Sequence, residues 1–123
     1  MIRIFIFISL LLGVTACSNA TEIVLVTVRD NEFRIIKTLS SAAELAEFSE
    51  LWSKRQREAS MEPFRAPVSY PYKIDIELTP KGGDRWLYDP AGITQVLTKT
   101  IVPRYHIDLP ERFNALLGIE AKR

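Results

Sequence analysis

The sequence predicts an α+β domain: an antiparallel sheet of about four to five strands, with one main amphipathic helix packed on one face and a short C-terminal helix. Three observations lead there. Residues 72–79 alternate apolar and polar side chains without a slip, the period of two that marks a strand with one wet face. Leu45, Phe48, Leu51 and Trp52 recur at helical spacing just after Ser41 and Glu44, which are placed as a capping box. Turn-forming residues separate most strand candidates by hairpin lengths, so neighbouring strands should run antiparallel.

Taken in order, Ile23-Val24-Leu25-Val26-Thr27-Val28 is a β-branched run typical of a strand. Arg29-Asp30-Asn31-Glu32 supplies turn chemistry, and residues 33–39 return as its partner. The helix is expected over 42–57, with Glu44 and Glu47 early and Lys54, Arg55 and Arg57 late, as the macrodipole favours. Glu58 to Pro71 carries Pro63, Pro67 and Pro71. These remove backbone donors, so the stretch is read as a surface loop. After strand 72–79, Pro80 to Asp84 forms a turn and Arg85-Trp86-Leu87-Tyr88 begins the return. Asp89-Pro90-Ala91-Gly92 fits a type I turn, with each residue at a favoured position. Residues 93–102 are expected as another strand, and Tyr105-His106-Ile107 as an extension or a separate edge strand. Asp108 is expected to cap a final helix that Pro110 enters, Phe113, Leu116 and Leu117 line, and Gly118 ends.

Composition narrows the function classes. At 123 residues and 47% apolar, the chain has material for one domain and one modest core. Its 16 basic and 15 acidic side chains balance, so no nucleic-acid partner is expected, since binding phosphates requires a basic excess. Aromatic content of 10% and seven prolines argue against disorder.

The N-terminal segment carries a single basic residue, Arg3, before an apolar run from Ile4 to Val14. As a helix that run would cover roughly 16 Å, about half of a bilayer's hydrocarbon thickness, so it reads as a secretory signal core and not as a membrane span. Val14-Thr15-Ala16-Cys17 then resembles the lipobox of bacterial lipoproteins, an aliphatic residue and two small or polar ones before a cysteine. The family of the mature domain is not identified. The resemblance implies residues 1–16 as a signal peptide, 17–22 as a lipidated tether and 23–123 as one small domain. It implies a thioether-linked diacylglycerol on Cys17, cleavage before it and acylation, commonly with palmitate, of the new amino terminus. Two or three acyl chains, at about 0.8 kcal/mol per buried methylene, hold a membrane far more firmly than one. Ser18 in place of an aspartate resembles lipoproteins sorted to the outer membrane, facing the periplasm. Cys17 is the only cysteine, so no intramolecular disulfide is possible.

Candidate chemistry is sparse. His106 and Asp108 would share one strand face, but no second histidine or further cysteine exists to complete a transition-metal shell. Asp75 and Glu77 also share a face, alternating with Lys73 on the expected wet side, and read as a surface stripe. The richest local feature is Arg85-Trp86-Leu87-Tyr88-Asp89, with Tyr70 and Tyr72 on the adjacent strand. Alternation puts Trp86 and Tyr88 on one face and Arg85, Leu87 and Asp89 on the other. Tyr72, Arg85, Trp86 and Tyr88 are therefore the candidate binding residues, because such side chains dominate interface hot spots. Core packing competes for Trp86, and Trp52 on the helical stripe is read as core. The 55–70 segment, with Arg55, Arg57 and Arg65, reads as a solvated connector.

The expectation is a non-enzymatic envelope lipoprotein without cofactor or metal, held to a membrane by its lipid. Its domain would bind a protein, as a periplasmic inhibitor, an immunity-type protein or an accessory subunit. The second expectation is a structural or assembly component of an outer-membrane or secretion complex.

Overall fold

A computed structural model describes residues 21–58, 68–100 and 102–120. The segments expected as a signal peptide (1–16), as the Cys17 lipid site and as a tether up to residue 20, and Arg65 with Pro63 and Pro67, lie outside the described residues.

The described chain is α+β. Its strands are β1 (Glu22–Arg29), β2 (Ile35–Leu39), β3 (Gln56–Arg57), β4 (Tyr72–Thr79), β5 (Gly83–Asp89), β6 (Ile93–Val96) and β7 (Tyr105–His106), with helices α1 (Ala42–Ser53) and α2 (Pro110–Leu117). The strands form one seven-stranded sheet in the order β2-β1-β4-β5-β6-β7-β3. Every neighbouring pair is antiparallel.

Local chemistry places α1 where the spacing requires. The Ser41 side chain accepts from the Glu44 backbone N–H, and the Glu44 carboxylate accepts from the Ser41 N–H, which satisfies donors a helix start leaves open. Phe48, Leu51 and Trp52 face inward. They meet Val26 and Val28 of β1, Ile74 and Ile76 of β4, and Phe113 and Leu117 of α2 in one core. Gly118 closes α2 with φ at 72°, a left-handed conformation that side chains with a Cβ resist. The turn at Asp89 forms through the Gly92 N–H to the Asp89 carbonyl, and the Asp89 carboxylate accepts from the Ala91 N–H.

The number of strands corrects the expected four to five. The added pairing is β3 with β7, where Gln56 lies opposite His106 and Arg57 opposite Tyr105. Two-residue strands are too short to display any periodicity. The same pairing shortens α1: the helix stops at Ser53, and residues 56–57, expected as its last turn, leave to pair with the sheet. The strand expected over 93–102 ends at Val96. Asp108 does not cap α2; the cap position is Leu109, which makes no side-chain hydrogen bond, and Pro110 at the helix start brings no N–H of its own to satisfy.

Candidate functional site

Alternation along the central strands sorts side chains onto two faces. Ile74, Ile76, Trp86 and Tyr88 point toward the helices and join or pack against the core. Lys73, Asp75 and Arg85, one position out of phase, emerge on the opposite face, as does Arg29 from β1 opposite Lys73.

On that outer face Asp75 is clamped by two arginines. Arg85 Nε donates to Oδ1 at 2.6 Å and its Nη2 to Oδ2 at 3.0 Å, while Arg29 Nε donates to Oδ2 at 3.0 Å. The Arg85 hydrogen bond, seconded by Arg29, holds the Asp75 carboxyl below its ordinary pKa, and Asp75 in turn raises that of Arg85. A carboxylate held this firmly in its charged form is a weak proton acceptor. What the arrangement offers is charge of fixed position.

Phe33 lies over this cluster. The Asp30 carboxylate accepts from the Glu32 and Arg34 backbone N–H groups and from Arg34 Nε, and the Phe33 N–H donates to the Asp30 carbonyl. Arg29 Nη1 donates to the Phe33 carbonyl. This network holds Phe33 at φ 64°, a region uncommon for a bulky residue. Phe33 remains 50% exposed, with Lys73 Nζ 4.9 Å and Arg85 Cζ 5.4 Å from its ring centroid. Ile35 and Leu97 are exposed as well. An open depression of about 530 Å³ beside Arg85 is lined also by Asp75, Glu77, Gly82, Gly83 and Leu97.

The four expected binding residues do not converge on one surface. Arg85 stands on the outer face. Tyr72, Trp86 and Tyr88 lie on the helix-covered face, where Tyr88 is fully buried and bonds Asn114, which removes it from any contact with a partner. Trp86 is half-buried. It meets Trp52 edge-on at 4.9 Å and Tyr105 at 5.9 Å. Trp52 is core, as its place on the helical stripe implies.

Arg55 occupies the space among those rings. Its guanidinium carbon lies 4.4 Å from the Trp52 centroid, 5.1 Å from Trp86 and 4.9 Å from Tyr105. Nη1 donates to the Trp52 carbonyl, whereas the buried Nε has no hydrogen-bond partner. Burial lowers the Arg55 pKa from its ordinary value. The connector reading of this residue is therefore corrected: Arg55 is a half-buried cation in an aromatic cage.

The His106 ring is half-exposed, with Nε2 4.0 Å from Glu58 Oε2, and Asp108 is exposed. Glu58 is engaged by the buried Arg104, whose Nε donates to Oε2 at 2.8 Å. The Tyr70 hydroxyl donates to Gln95 Oε1 at 3.1 Å. Among the described residues no three His, Cys, Asp or Glu side chains come together as a metal site, and no helix is long and apolar enough to cross a membrane.

Sequence reasoning missed Arg29, Phe33 and Arg55 and read Asp75 as a plain surface charge. Alternation did place Asp75 and Lys73 on the wet face. The partner of Asp75 on β1, however, follows from strand register across 46 positions, which no local spacing encodes.

No family model matches the chain, and no solved structure matches it. Over 85 residues it is 32% identical to the AP-2 complex subunit beta of Saccharomyces cerevisiae. That stretch is 68% of this chain and 12% of that protein.

Proposed function

We propose that this chain is a small envelope lipoprotein whose domain is a non-catalytic protein-binding module: a periplasmic inhibitor, an immunity-type protein or an accessory subunit. A lipid on Cys17 would hold it at the outer membrane, facing the periplasm. Support for the anchor comes from the apolar segment ending in Val14-Thr15-Ala16-Cys17. The observation that carries the binding reading is the outer sheet face, where a half-exposed Phe33 sits beside Lys73 and the Asp75-clamped Arg85. Aromatic and arginine side chains held in place in this way bind partners with little loss of rotamer freedom.

Two measurements test the reading. Palmitate labelling of the full chain in its native host is expected to give a labelled, shortened protein, and Cys17→Ala is expected to abolish both label and cleavage. Unlabelled material retaining Met1 would remove the anchor. The binding module is tested by affinity capture with and without Phe33→Ala. A stoichiometric partner that ignores this change would remove the face from the reading.

A second reading, a structural component of an outer-membrane or secretion complex, draws on β2. This strand is an edge of the sheet and exposes Ile35 and Ile36, and an open edge can accept a further strand. Copurification with a large membrane assembly, in place of a one-to-one complex, would favour it.

A further inference from the structure

We infer that the Phe33 platform on the outer face is the docking site for an acidic segment of a protein partner, with an apolar side chain packing on the Phe33 ring and a carboxylate meeting Lys73. This rests on the binding-module reading and names the chemistry of what that module binds.

The charge arrangement selects the occupant. Arg29 and Arg85 clamp Asp75, while Lys73 and Arg85 both lie against the Phe33 ring; Glu77 and Asp84 line the depression beside Arg85. Asp75 takes Nε and Nη2 of Arg85 and Nε of Arg29. Lys73 has no carboxylate within ion-pair distance among the described residues; its ammonium rests on the Phe33 ring. A cation in this position, with its stem along the sheet and its head beside an exposed ring, can receive an incoming carboxylate without first breaking an internal pair. The ring beside it supplies apolar area.

The backbone points the same way. Phe33 is held at φ 64° by a network centred on Asp30, in a region uncommon for a bulky residue. The network does not bury the ring, so core packing does not compensate for the strain.

The immediate surroundings favour a protein over an anionic bilayer. Asp30 and Glu32 stand at the same turn as Phe33, paired with Arg34, and would repel a uniformly negative surface. The eight residues of β1 also separate Phe33 from the tether end of the strand by about 25 Å. A partner with carboxylates only at chosen positions fits this mixed pattern.

The test uses the full chain in its native envelope with the photocrosslinking residue p-benzoylphenylalanine in place of Phe33, and a control chain with it in place of the exposed Leu109. A protein adduct at position 33 is expected, mapping to a stretch of the partner with net negative charge. Lys73→Glu is expected to reduce that adduct about tenfold or more, as loss of a charge-assisted contact at an interface centre would. Replacing the mapped acidic residue of the partner with lysine is expected to restore it. A phospholipid adduct, an adduct to a second copy of this chain, a mapped stretch without carboxylates, or indifference to Lys73→Glu overturns the inference. An adduct at position 109 with none at 33 overturns the inference while leaving the binding module standing. No protein adduct at either position removes both.

Discussion

The Tyr88 hydroxyl donates to the carboxamide oxygen of Asn114, joining the centre of the sheet to α2 through a contact that water does not reach. Asn114 continues the chain by donating Nδ2 to the Pro90 carbonyl at 2.8 Å. The polar tip of a core aromatic is thus satisfied, and the carboxamide fixes the last helix against the turn after β5. Tyr88→Phe would keep the packing and leave the Asn114 oxygen without this donor. A loss of about 1–2 kcal/mol is expected in urea unfolding.

The same phenol makes an alkaline prediction. Burial, with Asp89 adding to it, raises the Tyr88 pKa well above its ordinary 10.0. The folded state then holds the proton where the unfolded chain releases it, so stability should decline as pH rises past about 10. Tyr88→Phe is expected to flatten that decline in a pH series of chemical unfolding. An unchanged slope would mean that another group controls it.

Asp75 sets an opposite, acidic dependence. Its folded pKa is depressed by Arg85 and then by Arg29. The stabilisation it brings is therefore present above its ordinary pKa of 3.8 and is lost as pH falls through the lower folded value. Asp75→Asn should reduce the dependence of unfolding on pH below about 4. Because both arginines are partly exposed, raised salt should weaken the wild-type effect.

Removal of Arg55 should loosen the β3–β7 edge. Arg55→Ala is expected to cost about 1–2 kcal/mol, through the loss of cation–π contacts to three rings. Faster amide exchange at residues 56–58 and 104–106 should accompany the loss, together with a red-shifted tryptophan emission. A stability change with no change in exchange at that edge would contradict the role of the cage.

Two adjacent glycines should respond differently. A Cβ on Gly83 would lie 2.1 Å from the Ile76 carbonyl oxygen at φ 152°, whereas one on Gly82, at φ 100°, meets nothing within 4 Å. Gly82→Ala should cost about 1–2 kcal/mol from backbone strain alone. Gly83→Ala should cost more than that, because it must also push β4 and β5 apart. Thermal unfolding of the two variants decides the order.

Where a signal lay within one turn or one strand, it was legible. Ser41 and Glu44 announced α1, Gly118 announced the end of α2, and the alternation of residues 72–79 announced both faces of β4. Where the signal was a meeting between distant segments, it was not. Arg55 read as part of a connector because nothing adjacent shows that Trp86 and Tyr105 arrive on its far side. Alternation put Tyr88 and Arg85 on opposite faces, but only the packing of the helices decided that the Tyr88 face is the covered one. The short β3 and β7 strands carry no pattern of their own and exist through each other.

The amino-acid sequence alone determined the α+β class, the antiparallel hairpins and the amphipathic helix, because capping, turn chemistry and periodicity act over a few residues. Only the tertiary structure decided that two arginines clamp Asp75, that Phe33 lies over them, and that Arg55 fills an aromatic cage. Those relationships are fixed by strand register and by which face each helix covers. They arise from burying one shared core, and no stretch of local spacing contains them.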